Sequence, residues 1–276
     1  MTTPLMTIDA LLVGTPMPFR GDDHSAIAKQ PVSGPVRIGW DGFAGDAVAD
    51  RVHHGGWDKA IHLYPQDHYD WWRERKPGHP LFDAPGAFGE NIASRGMTEA
   101  QLCLGDRFAL GSAIVEVSHG RQPCWKLDHR FGARDVMATI VKTGRCGIYF
   151  RVIREGEAEA GTRMTLLDRP LPDWPIDRIF RLLIGGGHKG DPDAVRALAD
   201  MPLVEPAHLR LLAESVGPVF TRYASGVEGS PAGFPRSVFD RLCALQGEAG
   251  ARSLSLPDAT AIAPASAAAL ADIDTP

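Results

Sequence analysis

Between residues 35 and 168 the chain is cut by glycine, proline and aspartate into apolar runs of four to seven residues, and this rhythm restricts the fold more than anything else in the sequence. Many short strands at modest spacing imply a β-barrel or sandwich rather than a parallel α/β sheet. The predicted strands are 36–40, 43–48, 60–64, 107–110, 113–117, 147–153 and 163–167. Two helices interrupt them. One is opened by Pro65 and runs through QDHYDWWRER; the other covers 133–142 and is closed by Gly144. The Trp71-Trp72 pair on the first reads as packing rather than as a stacking platform.

The run RPLPDWP at 169–175 reads as a linker. Beyond it lie three short helical patterns. Residues 177–183 end at three glycines, and 192–199 and 206–215 each begin with proline. The glycines follow a helix, so they read as its C-cap rather than as a phosphate loop. The expected organisation is therefore a mainly β domain at 1–168, a three-helix segment at 173–216 and an extension at 217–276 ending in a mobile tail. Residues 175–216 carry five Lys/Arg against six Asp/Glu, which argues against contact with nucleic-acid phosphates. The whole chain has a net charge of -5 and no membrane-spanning or leader-like segment, so a cytoplasmic protein without a membrane partner is expected. The four cysteines are widely spaced and suggest neither a disulfide framework nor a zinc knuckle.

Chemistry concentrates at Cys124. Residues 112–118 alternate as a half-buried strand, and Gly120 and Pro123 break the pattern, so Cys124 falls on the loop past a strand end. Arg121, Lys126 and His119 are placed to favour a thiolate, which would serve as metal ligand or nucleophile. The alternative is a small buried thiol that only packs.

Two further loops carry polar groups. Residues 51–62 bring Arg51, His53, His54, Gly55, Gly56 and Lys59 together before a strand, either as an anion-binding loop or as a tight hairpin turn with solvated charges. Zinc is disfavoured, because adjacent histidines on a strand face opposite ways and no Cys or carboxylate stands at ligand spacing. In 86–92, Glu90 and Asn91 lie among glycines and either read a heterocycle's edge or cap a turn.

Taken together, RVHHGGWDKAIHLYPQDHYDWW, FGENI and GDRFALGSAIVEVSHGRQPCWKLDHRF, with the trailing helices, resemble the MOSC-domain proteins and in particular their YiiM-type branch. The resemblance covers about residues 1–216. It implies a mixed-strand β-barrel followed by a small three-helix unit, and a molybdenum cofactor (Mo-pyranopterin) whose metal is ligated by Cys124. It matches the family's HGGxxxA segment at His54, Gly55, Gly56 and Ala60, with Trp57 where relatives commonly carry proline. Arg51, Lys59 and Arg121 would then hold the pterin phosphate, and Glu90 and Asn91 the pterin edge. His53, His54 or Lys126 would supply a proton. The implied activity is reduction of N-hydroxylated compounds such as hydroxylamino-purine bases, with electrons from a separate flavin or iron-sulfur reductase. A carrier or sulfur-delivery module without turnover is the alternative. A metal-free cysteine enzyme and a pyridoxal-phosphate lysine enzyme are weaker readings, and a homodimer is left open.

Overall fold

The computed structural model describes residues 5–50 and 54–191, then stretches at 214–222, 228–238 and 256–263 with a few single positions between them. The predicted helices at 192–199 and 206–215 and the tail fall largely outside the described residues, as do Arg51 and His53.

The strands of the first unit are β1 (Leu5–Val13), β2 (Met17–Arg20), β3 (Asp23–Ser25), β4 (Gln30–Pro31), β5 (Val36–Gly39), β6 (Gly42–Phe43) and β7 (Ile61–Pro65). They continue as β8 (Ile92–Ser94), β9 (Arg107–Leu110), β10 (Ala113–Gly120), β11 (Ile148–Arg154), β12 (Gly156–Ala158) and β13 (Arg163–Asp168). Seven of them close on themselves in the order β13-β9-β10-β11-β7-β8-β1, because β1 pairs with β13, while β4 extends the sheet beyond β1. The barrel is mixed: β7 and β8 run parallel and the other pairs of the ring are antiparallel. Closure removes the open edges that so many short strands would otherwise expose.

A parallel pair needs a crossover connection. Helix α1 (Asp67–Arg75) provides it between β7 and β8. Pro65 ends β7 rather than opening that helix, and Gln66 is the N-cap. Trp72 and Tyr69 of α1 are buried with Tyr64, Phe82, Phe88 and Phe131, and the Trp72 indole N–H donates to Tyr64 Oη at 2.8 Å. Trp71 is half-exposed, with Arg75 and Arg145 guanidinium groups 4.1 and 4.2 Å from its ring centre.

Three further helices follow: α2 (Trp125–Arg130), α3 (Val136–Thr143) and α4 (Ile176–Leu183). Helix α3 ends as expected on Gly144, whose left-handed φ of 74° closes the last turn. Helix α4 packs on the end of β10, where a Cβ on Gly120 would sit 3.0 Å from Ile176 and 3.4 Å from Phe180. Leu104 N–H donates to Trp174 O and Ile176 N–H to Leu102 O, both at 2.9 Å, so the proline-rich run is stitched to the barrel. The chain divides into two units between Asp191 and Pro192, which places the first of the three predicted helices with the barrel.

Two expectations need correction. Within 43–48 only Phe43 is in a strand; Gly45 at φ 86° turns the chain so that Asp46 reaches back to the Gly14 N–H at 2.7 Å. The nine-residue β1 was not among the predicted strands, although Met6 and Ile8 alternate with exposed Thr7 and Asp9 as a barrel wall requires.

The second unit holds β14 (Val219–Arg222), β15 (Glu228–Gly233) and β16 (Thr260–Ile262), with β14 central, antiparallel to β15 and parallel to β16. No described helix is long and apolar enough to cross a membrane.

Candidate functional site

The site is built on the outer face of the barrel wall. In β11, Ile148 and Phe150 are buried, and Phe150 meets Phe108 of β9 across the interior, 6.3 Å between ring centres. Tyr149 has the opposite parity, and its register partner His62 is the corresponding residue of β7. Side chains alternate along a strand, so both leave the barrel core and reach a cavity outside it. That cavity is lined by Tyr149 and His62, by Ser25 at the end of β3, by Ala26, Ile27 and Lys29 after it, by Asp41 and by 46–50. His54, Lys59, Ala60, Gly89, Asn91, Arg121, Cys124 and Lys126 complete it.

Cys124 is half-exposed and is the N-cap of α2, on the loop after β10. Cys103 and Cys146 are buried, and burial pushes both thiols up in pKa, most strongly that of Cys146. Among the described thiols only Cys124 opens on the cavity. The β2–β3 hairpin braces its helix: the Arg20 guanidinium lies 3.8 Å from the Trp125 ring centre, and Phe19 lies 4.7 Å from the His129 ring.

Arg121 and Lys126 are both buried, and no carboxylate of a described residue forms an ion pair with either. Arg121 donates to Phe88 O and hydrogen-bonds Tyr149. Lys29 differs, since it is paired with Asp46 and its pKa is lowered by burial. His54 is held below its ordinary pKa by burial and then by Lys126 and Arg121, so it is neutral at pH 7. It is therefore a weak proton donor at that pH, and the Lys126 side chain lines the same cavity. His62, fully buried beside Arg121, is held well below the ordinary range. Its Nδ1 lies 3.4 Å from Gly89 O, which assigns the proton to Nδ1 and leaves Nε2 an acceptor with no partner among the described residues.

The other expected site residues separate clearly. Asn91 lines the cavity, but its amide is spent on the fold: Nδ2 donates to Leu12 O and Asp46 Oδ2, and Oδ1 accepts from the His62 N–H at 3.0 Å. Glu90 is fully buried and does not reach the cavity; it accepts from Tyr69 Oη at 2.5 Å, Gly86 N–H at 2.7 Å and Phe88 N–H at 3.1 Å. A heterocycle-reading role for Glu90 is thus replaced by a turn-forming one. The turn it ties off presents Gly86 O and Ala87 O to Arg130, Phe88 O to Arg121 and Gly89 O to His62. Gly55 and Gly56 do not line the cavity; Gly56, at φ 106°, caps the 3-10 turn Trp57–Lys59, whose last residue does. His62, Tyr149 and Lys29 are cavity residues that sequence reading passed over. Strand parity was the available signal for the first two, and nothing local marked the third.

A MOSC domain model matches residues 50–165. The Bacillus subtilis protein YflK, described as uncharacterized, is 41% identical over 163 residues, covering 58% of this chain and 72% of YflK. The chain belongs to the MOSC family. A Gibberella moniliformis protein named a reductase is 39% identical over 165 residues, 59% of this MOSC protein but only 29% of the fungal one. The crystal structure of YiiM from Geobacillus stearothermophilus superposes with a TM-score of 0.59 at 35% identity, covering 75% of this chain and 96% of that one. The YiiM-type barrel with helices is thus the fold of this MOSC protein.

Among the described residues no three His, Cys, Asp or Glu side chains gather as a metal site. A metal here would have to bring most of its own ligands. The donor set suits such a group: one soft sulfur from Cys124, and, among the described residues, two buried cations without carboxylate partners and an imidazole nitrogen without a hydrogen-bond partner.

Proposed function

We propose that this cavity binds a molybdenum-pyranopterin cofactor through Cys124 and that the protein reduces N-hydroxylated compounds. The observation that carries the reading is the meeting of one accessible thiol with two buried basic side chains, Arg121 and Lys126, that form no ion pair with a carboxylate of a described residue, in a single cavity. A buried cation left unpaired is costly, so such a pair is expected where an anion such as the pterin phosphate arrives. The cofactor, when bound, supplies the two-electron chemistry. Cys124 holds it by its sulfur, Arg121 and Lys59 steady the anionic end, and Asn91 and Glu90 shape the walls from behind. His54, neutral and beside two cations, orients a hydroxyl, and Lys126 is the proton donor. In the net reaction the N–O bond breaks, two electrons and two protons are taken up, and an amine and water leave. The electrons come from a separate flavin or iron-sulfur reductase; the reductase name of the fungal relative, much longer than the matched region, supports that chemistry.

The test is Cys124→Ser in protein made by a host that assembles the cofactor. Molybdenum content and reduction of a hydroxylamino-purine should both vanish while thermal unfolding stays within a few degrees of wild type. Full activity in the variant would overturn the assignment. A wild-type protein that retains molybdenum yet stays inert with every donor would favour the carrier reading.

A further inference from the structure

Helix α2 joins the Cys124 cavity to a second concavity with which it shares no lining residue. Cys124 is the N-cap of α2, and Asp128 of the same helix lines a groove formed with α3 and the end of α4. Four residues of helical rise span about 6 Å, so roughly one turn of chain separates the groove from the thiol. The Asp128 carboxylate accepts from the Met137 N–H at 2.9 Å and carries the connection on to α3. Met137, Ala138 and Val141 give the groove an apolar lining, and the exposed Arg134, Lys142 and Arg181 give it positive charge. Arg181 donates to Asp177 at 2.7 Å and to Thr143 O at 3.1 Å, whereas Arg134 and Lys142 have no hydrogen-bond or ion-pair partner among the described residues. The basic character continues past the end of α3. Arg145 follows the Gly144 cap and lies, like Arg75, over the half-exposed Trp71 ring, and neither pairs with a carboxylate of a described residue. The Lys76–Asp135 pair at 2.7 Å ties the end of α1 to the start of α3, so these side chains belong to one surface. Asp128, Asp135 and Asp177 are already engaged there, which leaves the exposed Glu74 of α1 against four cations.

The chain as a whole carries a net charge of -5, so a basic, partly apolar face inverts its field locally. An acidic protein is repelled by the rest of the molecule and steered to this face. Trp and Arg are also the side chains on which protein interfaces concentrate their energy. We infer that the groove of α2, α3 and α4, together with Trp71, is the docking face of an acidic electron-transfer protein. The inference rests on the function proposed for the Cys124 cavity and names the surface and charge by which its electron donor is recognised. The partner's reduced flavin or iron-sulfur centre is oxidised there, and two electrons cross about one turn of α2 to the Cys124 cavity. They are consumed with two protons when the N–O bond of the substrate breaks. Because the groove and the cavity have no lining residue in common, donor and substrate bind without competing.

Flavodoxin and a plant-type ferredoxin, small acidic proteins that carry the two kinds of centre, serve as probes of the full-length holoprotein. In calorimetric titration, the double variant Arg134→Glu, Lys142→Glu should bind the probe that wild type binds about tenfold more weakly. Added salt should weaken wild-type binding and leave the variant little changed. Both side chains are exposed, so thermal unfolding of the variant should match wild type. In turnover of 6-hydroxylaminopurine at sub-saturating donor, the rate driven by the reduced probe should fall by a similar factor. The rate driven by reduced methyl viologen, a small donor that needs no docking face, should not fall. A wild-type protein that binds neither probe, or a variant that binds as tightly as wild type, overturns the docking face. So does an equal fall with protein donor and viologen, which would place the effect in the Cys124 cavity itself. Absence of turnover even with viologen would defeat the proposed function, while the titration still decides whether an acidic protein docks on this face.

Discussion

Replacing Glu90 by alanine should damage the protein far more than its distance from the cavity suggests. The carboxylate is fully buried and accepts three hydrogen bonds, from the Tyr69 hydroxyl and from the backbone N–H groups of Gly86 and Phe88. Tyr69 stays a donor at any working pH, because burial and the neighbouring Glu90 push its pKa well up. Each buried donor left without a partner costs about 1–3 kcal/mol. Two of them, the Tyr69 O–H and the Phe88 N–H, sum to roughly 2–6 kcal/mol, because the Gly86 N–H keeps Tyr69 Oη at 3.2 Å, and water entering the vacated space brings the expected loss to about 2–4 kcal/mol. That is a large share of a domain's usual stability of about 5–15 kcal/mol. Glu90→Gln should lie between, because a carbonyl in the Oε1 position keeps Tyr69 and Gly86 while its amide group opposes the Phe88 N–H. Urea unfolding of the three proteins gives the stabilities, and hydrogen exchange at Gly86–Gly89 reports the turn that positions Arg121, Arg130 and His62. A loss below about 1 kcal/mol in the alanine variant, or exchange unchanged at those amides, would refute the assignment of Glu90 as the tie of this turn.

Gly147→Ala should be costly for two separable reasons: its φ is +81°, and an added Cβ would stand 2.4 Å from His62 Nε2 and 3.1 Å from Leu63 O. Gly161→Ala, at φ +86° with nothing within 4 Å, carries only the backbone strain of about 1–2 kcal/mol. Equal destabilisation of the two in urea would dismiss the clash. For pH dependence, His62 is neutral when folded and has its ordinary pKa of about 6.5 when unfolded. The unfolded chain therefore binds a proton that the folded chain does not. Stability should fall as pH drops below about 6.5, by up to about 1.4 kcal/mol per unit from this residue, until the folded pKa is reached. His62→Gln should flatten that part of the profile, and an unaltered slope would mean that the ring is not held neutral.

Much of this protein is legible along the chain. Alternation and punctuation between 35 and 168 pointed to a mainly β domain, barrel or sandwich, and the FGENI and GRQPCWKL segments pointed to the family, because those signals sit within a few consecutive residues. Asn91 and Glu90 show where such reading stops: their residue types suit a ligand, but neighbours far apart in sequence, Leu12, Asp46 and Tyr69, claim their hydrogen-bonding groups. Closure through β1 and β13 joins residues about 160 positions apart, a pairing that local pattern cannot encode. The barrel's handed curvature then decides which parity of β7 and β11 faces out. Tyr149 and His62 meet Cys124 in a cavity for that reason, and Lys29 arrives from a segment before β4 with no motif of its own. Local chemistry is written in the order of residues, whereas the convergence of cations, thiol and imidazole is a property of packed strands and exists only once the wall is built.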